Sequence, residues 1–214
     1  MNNIKKRIFT SLILLVLLFL IMNSQFLLTY TLIVFSVTSI IEFIKIIKKI
    51  FKNKISILIL NFIFIFYIFI FCSFFFILSS VAQFKILLLI FLLGCITSDI
   101  GGYVFGKYFN GPKLTKISPN KTFAGAIGSL ILASISISLM LFFANIEISW
   151  KIIIVTLLTS ISCQIGDLFF SYLKRKAKLK DTGNLLPGHG GVLDRFDGIL
   201  LGVPIGFIIF SILY

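Results

Sequence analysis

The sequence predicts an all-α fold, a polytopic helical bundle of about seven transmembrane helices with its long loops on the cytoplasmic side, and three observations predict it. Of the 214 residues, 59% are hydrophobic and 13% charged, and the mean hydropathy is +1.14, far from the balance of a soluble domain. The apolar residues gather into runs of membrane length. The 20 Lys and Arg, set against 7 Asp and Glu for a net charge of +13, gather into short clusters between those runs. That segregation excludes a soluble nucleic-acid-binding domain, which the net charge alone would suggest.

The runs extend from about Ile8 to Met22, Phe26 to Ile44, Ile55 to Leu78, Phe84 to Phe105, Phe123 to Ala144, Trp150 to Phe170 and Ile199 to Tyr214. The first follows Lys5, Lys6 and Arg7 as a signal peptide would, but no small-residue cleavage pattern comes after it. A second run begins just past Asn23-Ser24-Gln25, so an uncleaved hairpin is expected. The basic loop from Lys45 to Lys54 is expected against anionic headgroups. In the fifth run Gly125, Ser129 and Ala133 recur every fourth residue, a small-residue ridge suited to helix packing. Cys72, Cys95 and Cys163 each lie inside an apolar run without CxxC spacing, so neither a disulfide framework nor a zinc site is expected.

Orientation follows from the basic residues, which short loops retain on the cytoplasmic side. With the N-terminus inside, 18 of the 20 fall on one side, and only Lys85 and Lys151 fall on the other. The two longest loops, 106 to 122 and 171 to 198, then face the cytoplasm together. Residues 1 to 93 contain no Gly, Pro or Asp, whereas the remainder holds all 15 Gly, 4 Pro and all five Asp. Two domains are therefore expected: a three-span scaffold over 1–93 and a four-span catalytic domain over 94–214.

Ionisable side chains within spans are costly and usually functional, which singles out Asp99 and Asp167. Gly102, Tyr103 and Gly106 share a helical face with Asp99 and leave little bulk beside the carboxylate, so that face can admit a ligand. Ser160, Gln164, Asp167 and Ser171 form a polar stripe on the sixth run, which must face protein or water rather than lipid. The segment SYLKRKAKLKDTGNLLPGHGGVLDRFDG then combines the basic cluster Lys174 to Lys180, a Gly-rich loop, the only histidine, His189, and Asp181, Asp194 and Asp197. Gly-rich backbone presents N–H groups to phosphate oxygens, Lys and Arg offset their charge, and carboxylates hold Mg²⁺ beside phosphates. His189 is open between a phosphate or base contact and a hydrogen bond that steadies the loop. Zinc is not expected from one His without cytoplasmic Cys.

The run from Ser171 through Lys174, Arg175, Lys180, Asp181, Gly183, Leu186, Pro187, His189, Gly190, Gly191, Asp194 and Arg195 to Asp197 resembles the signature of the phosphatidate cytidylyltransferase, or CDP-diacylglycerol synthase, family, with no departure across 27 residues. The stretch from Ser98 to Gly128 is similar to that family's other block. It departs at Gly102, where Ala is common, and at Phe123-Ala124, where Trp and an acidic or amide residue are usual. The resemblance covers about residues 94 to 200. It implies a reaction of CTP with phosphatidate, with Mg²⁺ as cofactor, to give CDP-diacylglycerol and pyrophosphate. It further implies Mg²⁺ binding by Asp167 and Asp194, with Asp197 and Asp99 as supporting or substrate-side carboxylates. Lys174, Arg175, Arg195, Lys121 and Ser118 would hold the triphosphate and the lipid phosphate, with Lys180, His189, Gly190 and Gly191 also on the substrate side, and Asp181 would cap or brace its loop.

The expected setting is the cell inner (plasma) membrane, multi-pass, with the N-terminus cytoplasmic, the lipid bilayer as partner, no nucleic acid, and a membrane homodimer as a further expectation. The nearest rivals are other CTP-using membrane enzymes, a polyprenol kinase or an archaeal-lipid cytidylyltransferase. A transporter would carry its carboxylates near the bilayer midplane on broken helices, whereas these cluster at one face beside basic loops. A non-catalytic scaffold would leave the clustered Asp unexplained.

Overall fold

The computed structural model describes residues 20, 21, 23–109, 111–115, 118, 121–183, 185 and 190–214. Long helices dominate it: α1 (Gln25–Ile50), α2 (Lys54–Ser79), α3 (Ala82–Phe109), α4 (Phe123–Phe143), α5 (Trp150–Lys176), the short α6 (Leu193–Phe196) and α7 (Ile199–Leu213). Six stretches among the described residues are long and apolar enough to cross a membrane, the last running through α6 and α7 from Leu193 to Leu213. The protein is therefore a multi-pass membrane protein with the all-α fold its sequence predicts. Of the seven spans expected, that from Ile8 to Met22 lies outside the described residues apart from Leu20 and Ile21. Helices α1, α3 and α5 outrun the apolar stretches by about four to six residues. Each carries Lys or Arg in its last turn, where the negative end of the helix dipole favours a cation.

The chain divides into two compact units, 1–85 with 173–196, and 86–172 with 197–214, so the boundaries fall inside α3 and α5. In the first unit α1 and α2 form an antiparallel pair. Ser24 and Asn53 cap them, their side chains accepting from the N–H of Leu27 and Ile55. Phe43 stacks on Phe64 with ring centroids 3.8 Å apart, and at the other end of the pair Gln25 Nε2 donates to Ser79 Oγ at 3.0 Å. Phe196 of α6 packs on Phe35 of α1 at 4.5 Å. Phe62, Phe66 and Phe69 on α2 stay exposed, as a lipid-facing surface requires.

In the second unit α3, α4, α5 and α7 pack around Phe91, Cys95, Ile137, Cys163 and Val203, each with no exposed surface. Phe91 meets Phe207 and Phe210 edge to face. Hydroxyl pairs cross between helices, Ser98 with Ser160 at 2.8 Å, Thr97 with Ser136 at 2.6 Å and Thr156 with Ser134 at 3.1 Å. Such bonds satisfy groups that lipid would leave without partners. Cys95 and Cys163 are buried free thiols in this core, and Cys72 is half-buried in the first unit.

Candidate active site

Within the second unit a cleft of about 240 Å³ opens between α3, α4 and α5. Asp99 and Tyr103 line it from α3, Lys121 from the residue before the α4 cap, and Gln164 and Asp167 from α5. The face around Asp99 thus receives an open space, as its small neighbours predict. Gly102 and Gly125 form part of the wall. A Cβ on Gly102 would stand 2.7 Å from Ser129 Oγ, and one on Gly125 would stand 2.7 Å from the Gly102 carbonyl oxygen. Helices α3 and α4 therefore approach too closely for a side chain at Gly125, where the obstacle is backbone, whereas at Gly102 the Ser129 hydroxyl would have to turn aside. The ridge of Gly125, Ser129 and Ala133 is buried packing, as expected, and its first two members also line the cleft.

Lys121 is held in place by backbone. The Leu114 N–H donates to the Lys121 carbonyl at 2.7 Å, and the Lys121 N–H donates to the Ser118 carbonyl at 3.0 Å. An isolated bridge joins Lys113 to Thr122, whose hydroxyl caps α4 by accepting from the Gly125 N–H at 3.1 Å. The ammonium so placed pairs with Asp167 Oδ2, while Oδ1 accepts from the Ser171 hydroxyl at 3.3 Å. Lys121 and Asp167 are each 27% exposed, so a ligand entering the cleft can reach both. The polar stripe on α5 faces protein and the cleft: Ser160 meets Ser98, Gln164 Nε2 donates to the Ala126 carbonyl at 3.3 Å, and Gln164 and Asp167 line the open space.

The loop that leads into α6 lies in the first unit and centres on Asp194. Lys174 Nζ donates to Asp194 Oδ1 at 2.7 Å, with the two side chains only 13% and 6% exposed. Oδ2 accepts from the N–H groups of Thr182 at 2.8 Å and Gly191 at 3.0 Å, and the Thr182 hydroxyl lies 3.0 Å away. The carboxylate is thus the hub of the loop's fold. Gly190 adopts a φ of +84°, in the region that glycine tolerates best.

The structure groups Asp99, Lys121 and Asp167 in the cleft, and Lys174, Gly191 and Asp194 in the loop network. Arg175 is turned to the end of its own helix, its guanidinium donating to the Leu179 carbonyl at 3.5 Å. Lys180, Asp181 and Arg195 are exposed. Ser118 contributes backbone contacts, its N–H donating to Thr115 Oγ1 at 3.3 Å. Asp197 is 6% exposed and accepts from the Gly198 N–H at 2.9 Å. His189 lies outside the described residues.

One buried carboxylate bonded to this loop lies outside the part of the chain in which chemistry is expected. Glu42 of α1 is 2% exposed and accepts hydrogen bonds from Thr182, Val192 and Leu193 of the loop. The cost of an ionisable group within a span, which singles out Asp99 and Asp167, points to Glu42 equally. Helix α1 thus holds the loop through Glu42 as well as facing lipid.

A family model described as "Cytidylyltransferase family" matches residues 1–213. The chain is similar to the phosphatidate cytidylyltransferase of Staphylococcus haemolyticus (strain JCSC1435), 46% identical over 110 residues that make up 50% of this chain and 42% of that protein. It is also similar to the phosphatidate cytidylyltransferase of Rickettsia bellii (strain RML369-C), 42% identical over 131 residues, 56% of this chain and 57% of that one. The chain spans about half the length of the curated relatives it matches.

Proposed function

Because the chain belongs to the cytidylyltransferase family, we propose that it transfers the cytidylyl group of CTP to phosphatidate, forming CDP-diacylglycerol and releasing pyrophosphate. The observation that carries this reading is the cleft in which Asp99, Asp167 and Lys121 face one space, a carboxylate-and-ammonium set suited to phosphate chemistry. In the proposed step an oxygen of the lipid phosphate bonds to the α-phosphorus of CTP as the bond to pyrophosphate breaks. The nucleophile is already ionised, so the step needs no general base and rests on positioning and charge neutralisation. Lys121, Lys174, Arg175 and Arg195 are the proposed phosphate contacts, and Ser118, Lys180, His189, Gly190 and Gly191 are further proposed substrate contacts. Releasing Lys121 from Asp167 would make its ammonium available to an incoming phosphate.

Mg²⁺ is proposed at Asp167 and Asp194, with Asp99 and Asp197 in support. The donor chemistry fits, since Mg²⁺ takes hard carboxylate oxygens and leaves its other positions to phosphates and water. Each of the two carboxylates already holds a lysine ammonium, so each is placed to balance a positive charge. Bound at either carboxylate, Mg²⁺ would offset charge on the triphosphate.

The membrane is proposed to be the cell inner (plasma) membrane, with the N-terminus and the loops 106–122 and 171–198 on the cytoplasmic side, where CTP is found. The one-sided distribution of Lys and Arg supports this orientation. A reporter fused after Lys116 or Lys180 should read cytoplasmic, and one at Glu147 should read external. An external reading at Lys180 would remove the loop from reach of CTP and overturn the assignment.

The reaction itself is tested with the purified protein supplied with CTP, phosphatidate and Mg²⁺. CDP-diacylglycerol and pyrophosphate should appear together, one for each CTP consumed. Release of CDP with a phosphorylated lipid would favour a CTP-dependent kinase instead.

A further inference from the structure

We propose that Glu42 is a positioning residue for the reaction, the buried carboxylate on which the Thr182–Asp194 loop is built and through which Asp194 is aimed. The Val192 N–H donates to Glu42 Oε1 at 3.0 Å, the Leu193 N–H to Oε2 at 2.9 Å, and the Thr182 hydroxyl to Oε2 at 2.6 Å. That same hydroxyl lies 3.0 Å from Asp194 Oδ2. A hydroxyl carries one proton, so it can donate to only one of the two carboxylates at a time and joins them into one network. Thr182 is itself 5% exposed, and a buried carboxylate of this kind is tolerable only when its lone pairs are filled.

Two loop glycines close on the same group. A Cβ on Gly183 would stand 2.6 Å from Glu42 Oε1, and one on Gly191 would stand 2.5 Å from Oε2 and closer still to Thr182 Oγ1. The Gly-rich character that reads in sequence as a phosphate cradle therefore also serves to wrap backbone around Glu42. Helix α1 thus supplies the post around which Asp194 is set, at a sequence distance of about 150 residues. Groups that orient a ligating carboxylate control its grip on the ion, so Glu42 should act on Mg²⁺ through Thr182 and Asp194.

The proposal rests on Asp194 serving the cytidylyl transfer described above, and its test separates the two. The wild-type protein and Glu42→Gln are compared in detergent by hydrogen exchange and by turnover across a Mg²⁺ titration. Each carboxylate oxygen receives a backbone N–H, so the amide must turn its NH₂ toward one of them. In Glu42→Gln, exchange at 190–196 should quicken by at least about tenfold while α4 is unchanged, and the Mg²⁺ concentration for half-maximal turnover should rise by about 10- to 100-fold. A residue that merely held the fold would lower the amount of active protein without moving that midpoint. Unchanged loop exchange together with an unchanged midpoint overturns the proposal. Should Glu42→Gln fail to fold, Thr182→Val decides: it keeps the backbone bond to Asp194 and removes the hydroxyl link, so a raised midpoint supports the proposal and an unchanged one overturns it. A wild-type protein that turns over no CTP would sink the functional reading, while the exchange measurement would still show whether Glu42 holds the loop.

Discussion

Asp167→Asn is expected to lower turnover at saturating CTP by at least about 100-fold, the scale of losing one strong electrostatic contact to a developing charge. The substitution keeps size and polarity, and its amide oxygen can still accept from Ser171. It removes the charge that Lys121 now balances and that a divalent ion would balance in the cleft. Because the side chain is 27% exposed, folding should change little. Asp194→Asn should lose activity on the same scale, with a loss of stability beside it. Its Oδ1 faces the Lys174 ammonium and its Oδ2 accepts two backbone N–H groups, so an amide NH₂ must confront a donor on one side or the other. One buried donor left without a partner costs about 1–3 kcal/mol. Glu147→Gln is the matched control, since Glu147 is exposed on the turn between α4 and α5, and its turnover should match wild type. Wild-type turnover in Asp167→Asn across a Mg²⁺ titration would remove that residue from the metal site. Wild-type turnover in Asp194→Asn would do the same for its partner in the assignment.

How much of this was legible in the sequence depended on whether the cause was local. The spans were legible because a bilayer forces every backbone group into a helix and every lipid-facing side chain to be apolar, so length and hydropathy suffice. The helix ends were less so: α1, α3 and α5 continue into Lys-rich turns that look like loop by composition but are good helix C-termini. The face of Asp99 and the stripe ending at Asp167 and Ser171 followed from the helical period alone. The pairing of Lys121 with Asp167 did not, because it joins residues 46 apart and depends on the backbone turn that ends at Thr122. Glu42 was least legible. Two of its three donors are backbone N–H groups, which every non-proline residue possesses, and they lie 150 and 151 residues away. Only its presence as an acidic residue inside an apolar run marked it.

Cytidylyl transfer can be told from phosphoryl transfer by following one atom. In the proposed reaction the α-phosphorus of CTP becomes part of the lipid product, whereas the β- and γ-phosphorus atoms leave together as pyrophosphate. A CTP-dependent kinase, the nearest rival, sends the γ-phosphorus to the lipid and leaves the α-phosphorus in CDP. The two outcomes are all-or-none opposites, so no fine calibration separates them. CTP labelled in the α- or γ-phosphate, supplied with phosphatidate and Mg²⁺ to the purified protein, should place α label in chloroform-extractable lipid and γ label in aqueous pyrophosphate; lipid labelled from the γ position would contradict the account.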